Sequence, residues 1–237
     1  MDIDTGKIIF SHQEHTAAIL HVAFNEKHDE VIFVSKDSTV RVTTINGDNT
    51  RLVHLVDDIC YAACTTKQKS HLLIATDHST VFVLRIAEEG NYVLENTIHL
   101  EKSVNCIACP TRLHQHNIGH DKGERSAVSL SSDMDHAAFG FADGSVMLYD
   151  LVCDCPLWHV TPHTKEVFGL HFSHDGMFIA TGSRDKSTCI LLADKGVNGG
   201  TEAHRCEGHN EHVRAVAFGD QGQLLTGAFE CLRSARV

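Results

Sequence analysis

The sequence predicts an all-β protein made of repeated four-stranded antiparallel units, and three observations support this prediction. The segments 15–39 and 163–187 share one spacing, in which Phe follows His by nine residues and Asp follows Phe by thirteen. Apolar stretches of similar form recur along the chain, as expected for a repeated structural unit. No window shows the sustained apolar periodicity of an amphipathic helix, so we expect almost no helix.

The repeat is defined by five apolar stretches and the acidic residue that follows each of them. The stretches are Ile19–Phe24, Ile59–Cys64, Val104–Cys109, Val167–Phe172 and Val213–Phe218, and the acidic residues are Asp37, Asp77, Asp143, Asp185 and Glu230. Apart from an insertion at about 110–130 in the third unit, the period is about 40 to 45 residues, the range of four-stranded β-propeller blades. We therefore predict one propeller domain over 1–237, with units at about 7–45, 50–87, 92–151, 156–194 and 201–237.

Within each unit the local sequence favours four strands in order. The apolar stretch is the first strand, and a polar turn such as Ser173–Gly176 follows, where Asp-Gly tolerates positive φ. A short apolar second strand comes next, such as Met177–Gly182. A tight turn then carries the acidic residue, a β-branched third strand follows, and a last strand such as Pro156–Val160 closes the unit.

Several of these motifs resemble those of the WD-repeat β-propeller family. Gly208-His209 matches the family's Gly-His pair, and Thr181–Asp185 matches the segment that ends the second strand. In Asp143–Asp150, the pair Tyr149-Asp150 stands where the family has Trp-Asp. The only tryptophan, Trp158, lies elsewhere, and either Leu191 or Leu192 fills the Trp position of the fourth unit.

The resemblance implies a buried hydrogen-bonded set that joins a His, a Ser or Thr and an Asp within each blade. His163, Thr181 and Asp185 form its fullest version, and the other predicted members are His15, Asp37, Asp143 and His209. The resemblance also implies a ring of blades. The N-terminal segment 6–10 predicts a fourth strand and the C-terminus ends inside or just after a third strand, so these strands can close a five-blade ring. We favour the alternative that the chain is part of a larger propeller protein.

Composition excludes several functional classes. The formal net charge of −11 argues against a broad nucleic-acid-binding face. The N-terminus lacks the features of a secretory signal, and no apolar run has the ~20 residues of a membrane span. Nine scattered cysteines suggest small buried residues in a reducing compartment. We expect a cytoplasmic protein, and a nuclear location is also compatible.

Few residues point to chemistry. Cys106 and Cys109, with His114 and His116 downstream, have ligand types and a spacing compatible with zinc. Because both cysteines fall in a predicted first strand, which is a poor chelating element, we predict no metal site. No nucleophile elbow or phosphate-binding loop is present, so we predict no catalytic residues, no cofactor and no enzyme activity.

The resemblance implies a scaffold that binds other proteins through its loops. Lys36 and Arg184, beside the acidic residue of their turns, are the predicted contact points. Two alternatives stay open at this stage. One is a metal-binding or hydrolytic protein that uses the Cys106–His116 segment, and the other is the sensor segment of a larger signalling ATPase.

Overall fold

A computed structural model describes residues 8, 11–25, 29–56, 58–66, 71–87, 90–109, 136–219, 223–228 and 232–236. All regular structure in these ranges is β-strand, in five antiparallel sheets. The predicted all-β class and the four-stranded antiparallel unit are confirmed. The predicted strand at 6–10 and the insertion at about 110–130 lie outside the described residues, apart from Ile8. The described ranges contain no helix long and apolar enough to cross a membrane.

The first two sheets are four-stranded meanders. The first sheet comprises β1 (Ile19–Asn25), β2 (Glu30–Ser35), β3 (Thr39–Thr44) and β4 (Thr50–Leu55). The second sheet comprises β5 (Cys60–Thr65), β6 (His71–Thr76), β7 (Thr80–Ile86) and β8 (Tyr92–His99).

The remaining sheets repeat the same order of strands. The third sheet comprises β9 (Val104–Ala108), β10 (His136–Phe141), β11 (Val146–Asp150) and β12 (Cys155–Val160). The fourth sheet comprises β13 (Val167–Phe172), β14 (Phe178–Ser183), β15 (Thr188–Leu192) and β16 (Glu202–Cys206). The fifth sheet comprises β17 (Val213–Phe218), β18 (Gln223–Ala228) and β19 (Leu232–Arg236).

The chain divides into two compact units, 1–107 and 108–237. In the first unit, the apolar core joins residues of the first two sheets: Ile32, Val34, Val40, Val42, Val56, Cys60, Leu72, Ile74 and Leu84. In the second unit, one cluster joins residues of the third and fourth sheets, including Leu148, Phe172 and Ile179. Another cluster joins the fourth and fifth sheets, including Ile190, Val213 and Phe218.

The second strand of the early sheets is buried on both faces. All six residues of β2 and all six of β6 are buried. These strands are therefore near-continuous apolar runs rather than alternating ones, because both faces of the sheet are covered. Cys60 and Cys189 belong to this interior, and burial raises the pKa of each thiol to about 12. Such thiols behave as small apolar side chains, as the sequence predicts.

One tight turn recurs between the second and third strands, and it fixes the alignment of the repeats. Its third residue has positive φ in four sheets: Ser38, Ser79, Gly144 and Lys186. The preceding residue is Asp in three sheets but His78 in the second. The sequence alignment that placed Asp77 at this position is wrong by one residue. Cys60 pairs with Thr76 in the second sheet as Val167 pairs with Ser183 in the fourth. The first strand of the second unit is therefore equivalent from Cys60 onwards, one residue later than the apolar stretch from Ile59 predicts.

The loop between β15 and β16 is braced by the chain's only tryptophan. Trp158 Nε1 donates to the Asp194 carbonyl at 3.0 Å. Gly199 N donates to Gly196 O at 2.9 Å and Gly200 N donates to Leu192 O at 2.9 Å. A Cβ on Gly199 would lie 2.2 Å from the Asp194 carbonyl oxygen and 2.4 Å from Trp158 Cδ1. Only glycine fits where this loop meets the indole ring.

We expect Gly144→Ala to lower the free energy of unfolding by about 2 kcal/mol, because a close contact and an unfavourable φ act together. Its φ is +88°, and an added Cβ would lie 2.3 Å from the His163 carbonyl oxygen. Lys186→Gly is the matched control at the equivalent turn position, where glycine relieves a positive φ. Urea denaturation checks both variants. An unchanged midpoint for Gly144→Ala would contradict this account of the turn.

Candidate functional site

The fourth sheet brings His163, Thr181 and Asp185 together, the set that the sequence motifs predict. His163 Nε2 lies 2.7 Å from Thr181 Oγ1, and His163 Nδ1 lies 3.0 Å from Asp185 Oδ2. The His163 side chain has no exposed surface. The imidazole therefore ties the segment before β13 to strand β14 and to the turn before β15.

The hydrogen-bond network assigns the tautomer of this histidine. Asp185 can only accept, so His163 Nδ1–H donates to it and Nε2 accepts the Thr181 hydroxyl proton. Cys189 N–H in turn donates to Thr181 Oγ1 at 3.3 Å. The hydrogen bonds therefore run in one direction, from Cys189 N–H through Thr181 and His163 to the Asp185 carboxylate.

Asp185 also organises the turn around itself. Its Oδ1 accepts from Ser187 N at 3.0 Å and from Ser187 Oγ at 2.6 Å, and its Oδ2 accepts from Thr164 N at 3.0 Å. Burial raises the pKa of this carboxyl, but the hydrogen bonds from Ser187 and Thr164 lower it more, leaving the pKa at about 2. Asp185 is therefore a fixed anion at neutral pH.

Sequence reasoning missed Arg205, which joins this site from β16. Its Nη1 donates to Ser187 Oγ at 3.3 Å and its Nη2 to the Pro162 carbonyl at 2.7 Å. Arg205 Nε donates to Glu202 Oε1 at 3.0 Å. Arg205 lies outside the repeated motifs, so no sequence signal indicates its contacts with Ser187 and Pro162.

The first sheet contains the His and the Asp of the set but lacks the hydroxyl of the second strand. His15 Nδ1 lies 2.9 Å from Asp37 Oδ2, and Thr39 occupies the place of Ser187. Phe33 occupies the place of Thr181, so His15 Nε2 is buried with no hydrogen-bond partner among the described residues. The ring of His12 stacks on Phe33 with centroids 4.2 Å apart.

The other sheets retain less of the set. In the fifth sheet, His209 Nε2 lies 2.8 Å from Thr226 Oγ1, and Glu230 lies outside the described residues. In the third sheet, Asp143 Oδ1 accepts from Ser145 N and Oγ, while Phe139, fully buried, takes the place of the threonine.

In the second sheet, the His and Thr positions are both apolar. Val56 and Ile74 fill them and pack in the core of the first unit. An ion pair holds this turn instead, with His78 Nδ1 2.7 Å from Asp58 Oδ2. Here the His lies in the turn and the Asp lies before the first strand, the opposite of the fourth sheet. Apolar packing has replaced the buried polar pair at this position.

The tryptophan position of the fourth unit is also settled. Leu191 pairs with Ile179 just as Tyr149 pairs with Ala137, so Leu191 rather than Leu192 stands at that position. Leu191 is buried and has no polar group to offer Thr181. The Cys189 backbone supplies the hydrogen bond instead.

The two predicted contact residues lie in exposed positions beside their turns. Lys36 Nζ lies 5.3 Å from the centre of the Tyr61 ring, a cation–π contact. Arg184 Nη1 pairs with Glu166 Oε1 at 2.7 Å, and the Arg184 side chain is 48% exposed. Both cations point into solvent, whereas the neighbouring aspartates point into the structure.

The candidate zinc ligands are only partly described. Cys106 is buried in β9, Cys109 is half-buried, and His114 and His116 lie outside the described residues. Within the ranges that the structure describes, no group of three or more His, Cys, Asp or Glu side chains is arranged to hold a metal ion.

Comparison with known proteins agrees with the class that these turns and sheets define. The WD domain, G-beta repeat model matches residues 154–190, the segment that contains His163, Thr181 and Asp185. A chain in a crystal structure of the mitotic checkpoint complex superposes with a TM-score of 0.67 at 17% identity, covering 89% of this chain and 56% of that one. The sequence-based resemblance to WD-repeat β-propeller proteins is thus confirmed.

Two curated relatives are similar over part of the chain. One is the chromatin assembly factor 1 subunit FAS2 homolog of Oryza sativa subsp. japonica, 26% identical over 122 residues, which are 49% of this chain and 23% of that protein. The other is WD repeat-containing protein 55 of Mus musculus, 28% identical over 106 residues, which are 43% of this chain and 26% of that protein. The matched segments span about a quarter of either relative.

We expect Asp185→Ala to lower the free energy of unfolding by about 1 to 3 kcal/mol, because it removes charge-assisted bonds and leaves buried donors without an acceptor. Thr181→Val, which keeps the volume, is expected to cost about 1 to 2 kcal/mol. Glu207→Ala, at an exposed loop carboxylate, is the control and should stay within about 0.5 kcal/mol. Chemical denaturation checks the series, and an Asp185→Ala value equal to the control would refute the role of the set.

Stability should fall as the pH drops below about 6.5, the pKa of histidine in an unfolded chain. Burial lowers the pKa of five histidines, namely His12, His21, His71, His163 and His171. A depressed pKa means that the unfolded state binds more protons in this window, so the stabilisation is complete above pH 6.5 and is lost below it. His78 has a raised pKa from its Asp58 partner and opposes the trend, but its exposure screens the effect.

Thermal unfolding between pH 7.5 and 5 measures this dependence. His163→Gln should show a smaller fall in melting temperature than the parent chain, while His204→Gln, at an exposed position, should retain the full fall. A melting temperature that rises or stays constant on acidification would contradict the assignment of neutral buried imidazoles.

Proposed function

We propose that the chain is a non-catalytic protein-binding scaffold that presents the turns before its third strands to partner proteins. One observation carries this proposal. In the first and fourth sheets, the turn Asp is tied into the structure and the residue before it, Lys36 or Arg184, is an exposed cation. The same turn thus provides a rigid support and a side chain available for contact.

The polar groups of the buried set are poorly suited to catalysis. His163 has no exposed surface and both of its ring nitrogens have fixed partners, so it cannot exchange a proton with a substrate. The turn positions also suit recognition, since loops on a rigid scaffold carry binding residues in many proteins. Aromatic side chains and arginine are enriched in the cores of protein interfaces, and the exposed Tyr61 and Arg184 are residues of these types.

We further propose a cytoplasmic location, with other proteins as the partners. The eight cysteines within the described residues are all thiols, which suits a reducing compartment. Fluorescence microscopy of the tagged chain tests this location, and an accumulation in the secretory pathway would refute it.

Photo-crosslinking in cells tests the scaffold proposal. A benzoyl-phenylalanine introduced at Lys36 or Arg184 should give discrete higher-mass adducts with other proteins. The same group at Val93, an exposed position in the outer strand β8, is the control and should give fewer adducts. Adducts that form at Val93 but at neither turn would overturn the proposed face.

A further inference from the structure

A group of cationic and aromatic side chains lies beside the buried set of the fourth sheet. We call it the cationic–aromatic patch, and it consists of Lys165, Phe168, Arg184, His212 and Arg214. These residues come from the segment before β13, from β13 itself, from the turn before β15, from the loop before β17 and from the start of β17. All belong to the unit 108–237.

Direct contacts connect these side chains. The Arg214 guanidinium lies over the Phe168 ring at 4.9 Å from its centre. The His212 ring meets Phe168 edge to face, with centroids 6.5 Å apart. His212 Nδ1 donates to the Arg184 carbonyl at 2.9 Å, which joins the loop before β17 to the turn of the fourth sheet. The patch is therefore a connected surface.

The backbone under the patch is held in place as well. Arg184 N donates to Glu166 O at 2.9 Å, and Ser183 Oγ donates to Lys165 O at 3.0 Å. An added Cβ on Gly169 would lie 3.1 Å from the Arg214 carbonyl oxygen, so β13 and β17 approach closely here. Little ordering is required on binding, which favours affinity.

The charge of the patch differs from that of the chain. The chain carries a formal net charge of −11, yet Lys165, Arg184 and Arg214 are exposed cations around a half-buried ring. Of the acidic groups nearby, Glu166 pairs with Arg184, and Asp185 is engaged by Ser187 and His163.

The other exposed charges that flank the patch and the groove beside it are Lys186, Glu207 and Glu211. Within the described residues, the second sheet has no equivalent patch, because Asp77 there stands where the fourth sheet has Arg184.

We propose that this patch binds an acidic peptide segment of a partner protein, an inference that rests on the proposed scaffold function. Guanidinium groups bind carboxylates through paired, directional hydrogen bonds, and the ring of Phe168 offers apolar contact to the peptide's other side chains. An open groove lined by Asp185, Lys186, Ser187, Glu207, Gly208 and His209 continues from the same turn. It gives the peptide backbone a path beside the arginines.

Selection from a random peptide display library against the purified chain tests the inference. We expect the selected peptides to be enriched in Asp and Glu. A labelled synthetic copy of one selected peptide should bind in fluorescence polarisation, while its Asn/Gln analogue should bind about tenfold more weakly or not at all. Affinity should fall as salt rises.

Variants locate the site. Arg214→Gln and Arg184→Gln should each weaken the acidic peptide about tenfold, and Arg214→Lys should restore part of the loss. Arg85→Gln, at an arginine of similar exposure in β7, is the control and should bind like the parent chain. Thermal unfolding confirms that each variant is folded.

Each other outcome counts against the inference. Neutral or basic selected peptides, or acidic peptides indifferent to Arg214→Gln, would overturn it. A labelled single-stranded oligonucleotide that binds with the same arginine dependence and more tightly would assign the patch to nucleic acid instead. If photo-adducts at Arg184 persist in any of these cases, the scaffold function stands and only the acidic chemistry of the partner is wrong.

Discussion

Burial of the second strand on both of its faces is the constraint on which the rest of the structure depends. Strands β2 and β6 have no exposed residue, so every polar group that enters this layer must find a partner inside the protein. A buried histidine at the sheet margin is most stable when both of its ring nitrogens have complementary partners. The tight turn supplies one partner through its carboxylate, and the second strand supplies the other through a hydroxyl.

The five sheets show how a repeat can lose this polar set by steps. The fourth sheet keeps His163, Thr181 and Asp185, and the first keeps the His–Asp pair but has Phe33 where a hydroxyl would be. The second sheet replaces the His and Thr by Val56 and Ile74. Replacing both members of a buried polar pair by apolar residues costs little, whereas replacing one leaves the other without a partner. The unpaired His15 Nε2 represents that costlier intermediate.

Much of the fold could be predicted from sequence because the signals are local and repeated. The apolar stretches gave the first strands, and the turn aspartates of the first, third and fourth sheets were correctly placed. The second sheet failed by one residue because Ile59 is apolar yet 47% exposed, so hydropathy extended the strand backwards. His78 occupies the position where the turns of three other sheets have Asp. Because it is not acidic, the sequence did not reveal that the register was wrong by one residue.

The site was predictable only where it follows the family motif. The resemblance to WD repeats identified the pairs of His163 with Asp185 and of His15 with Asp37. The contacts of Arg205 depend on how β16 pairs with β15 within the fourth sheet. The contacts among Phe168, His212 and Arg214 depend on how the fourth and fifth sheets pack, and no spacing in the sequence encodes them. The same is true of the loop at 194–200, whose glycine-rich sequence suggests flexibility although the indole ring of Trp158 holds it in place.

That indole ring gives the molecule an intrinsic optical label. The chain has a single tryptophan, and it lies within the unit 108–237. The wavelength and quenching of its fluorescence emission therefore respond to the packing around β12 and the loop at 194–200. The unit 1–107 contributes no tryptophan signal. Comparing this emission with circular dichroism, which averages over all strands, distinguishes melting of one half of the chain from melting of the whole.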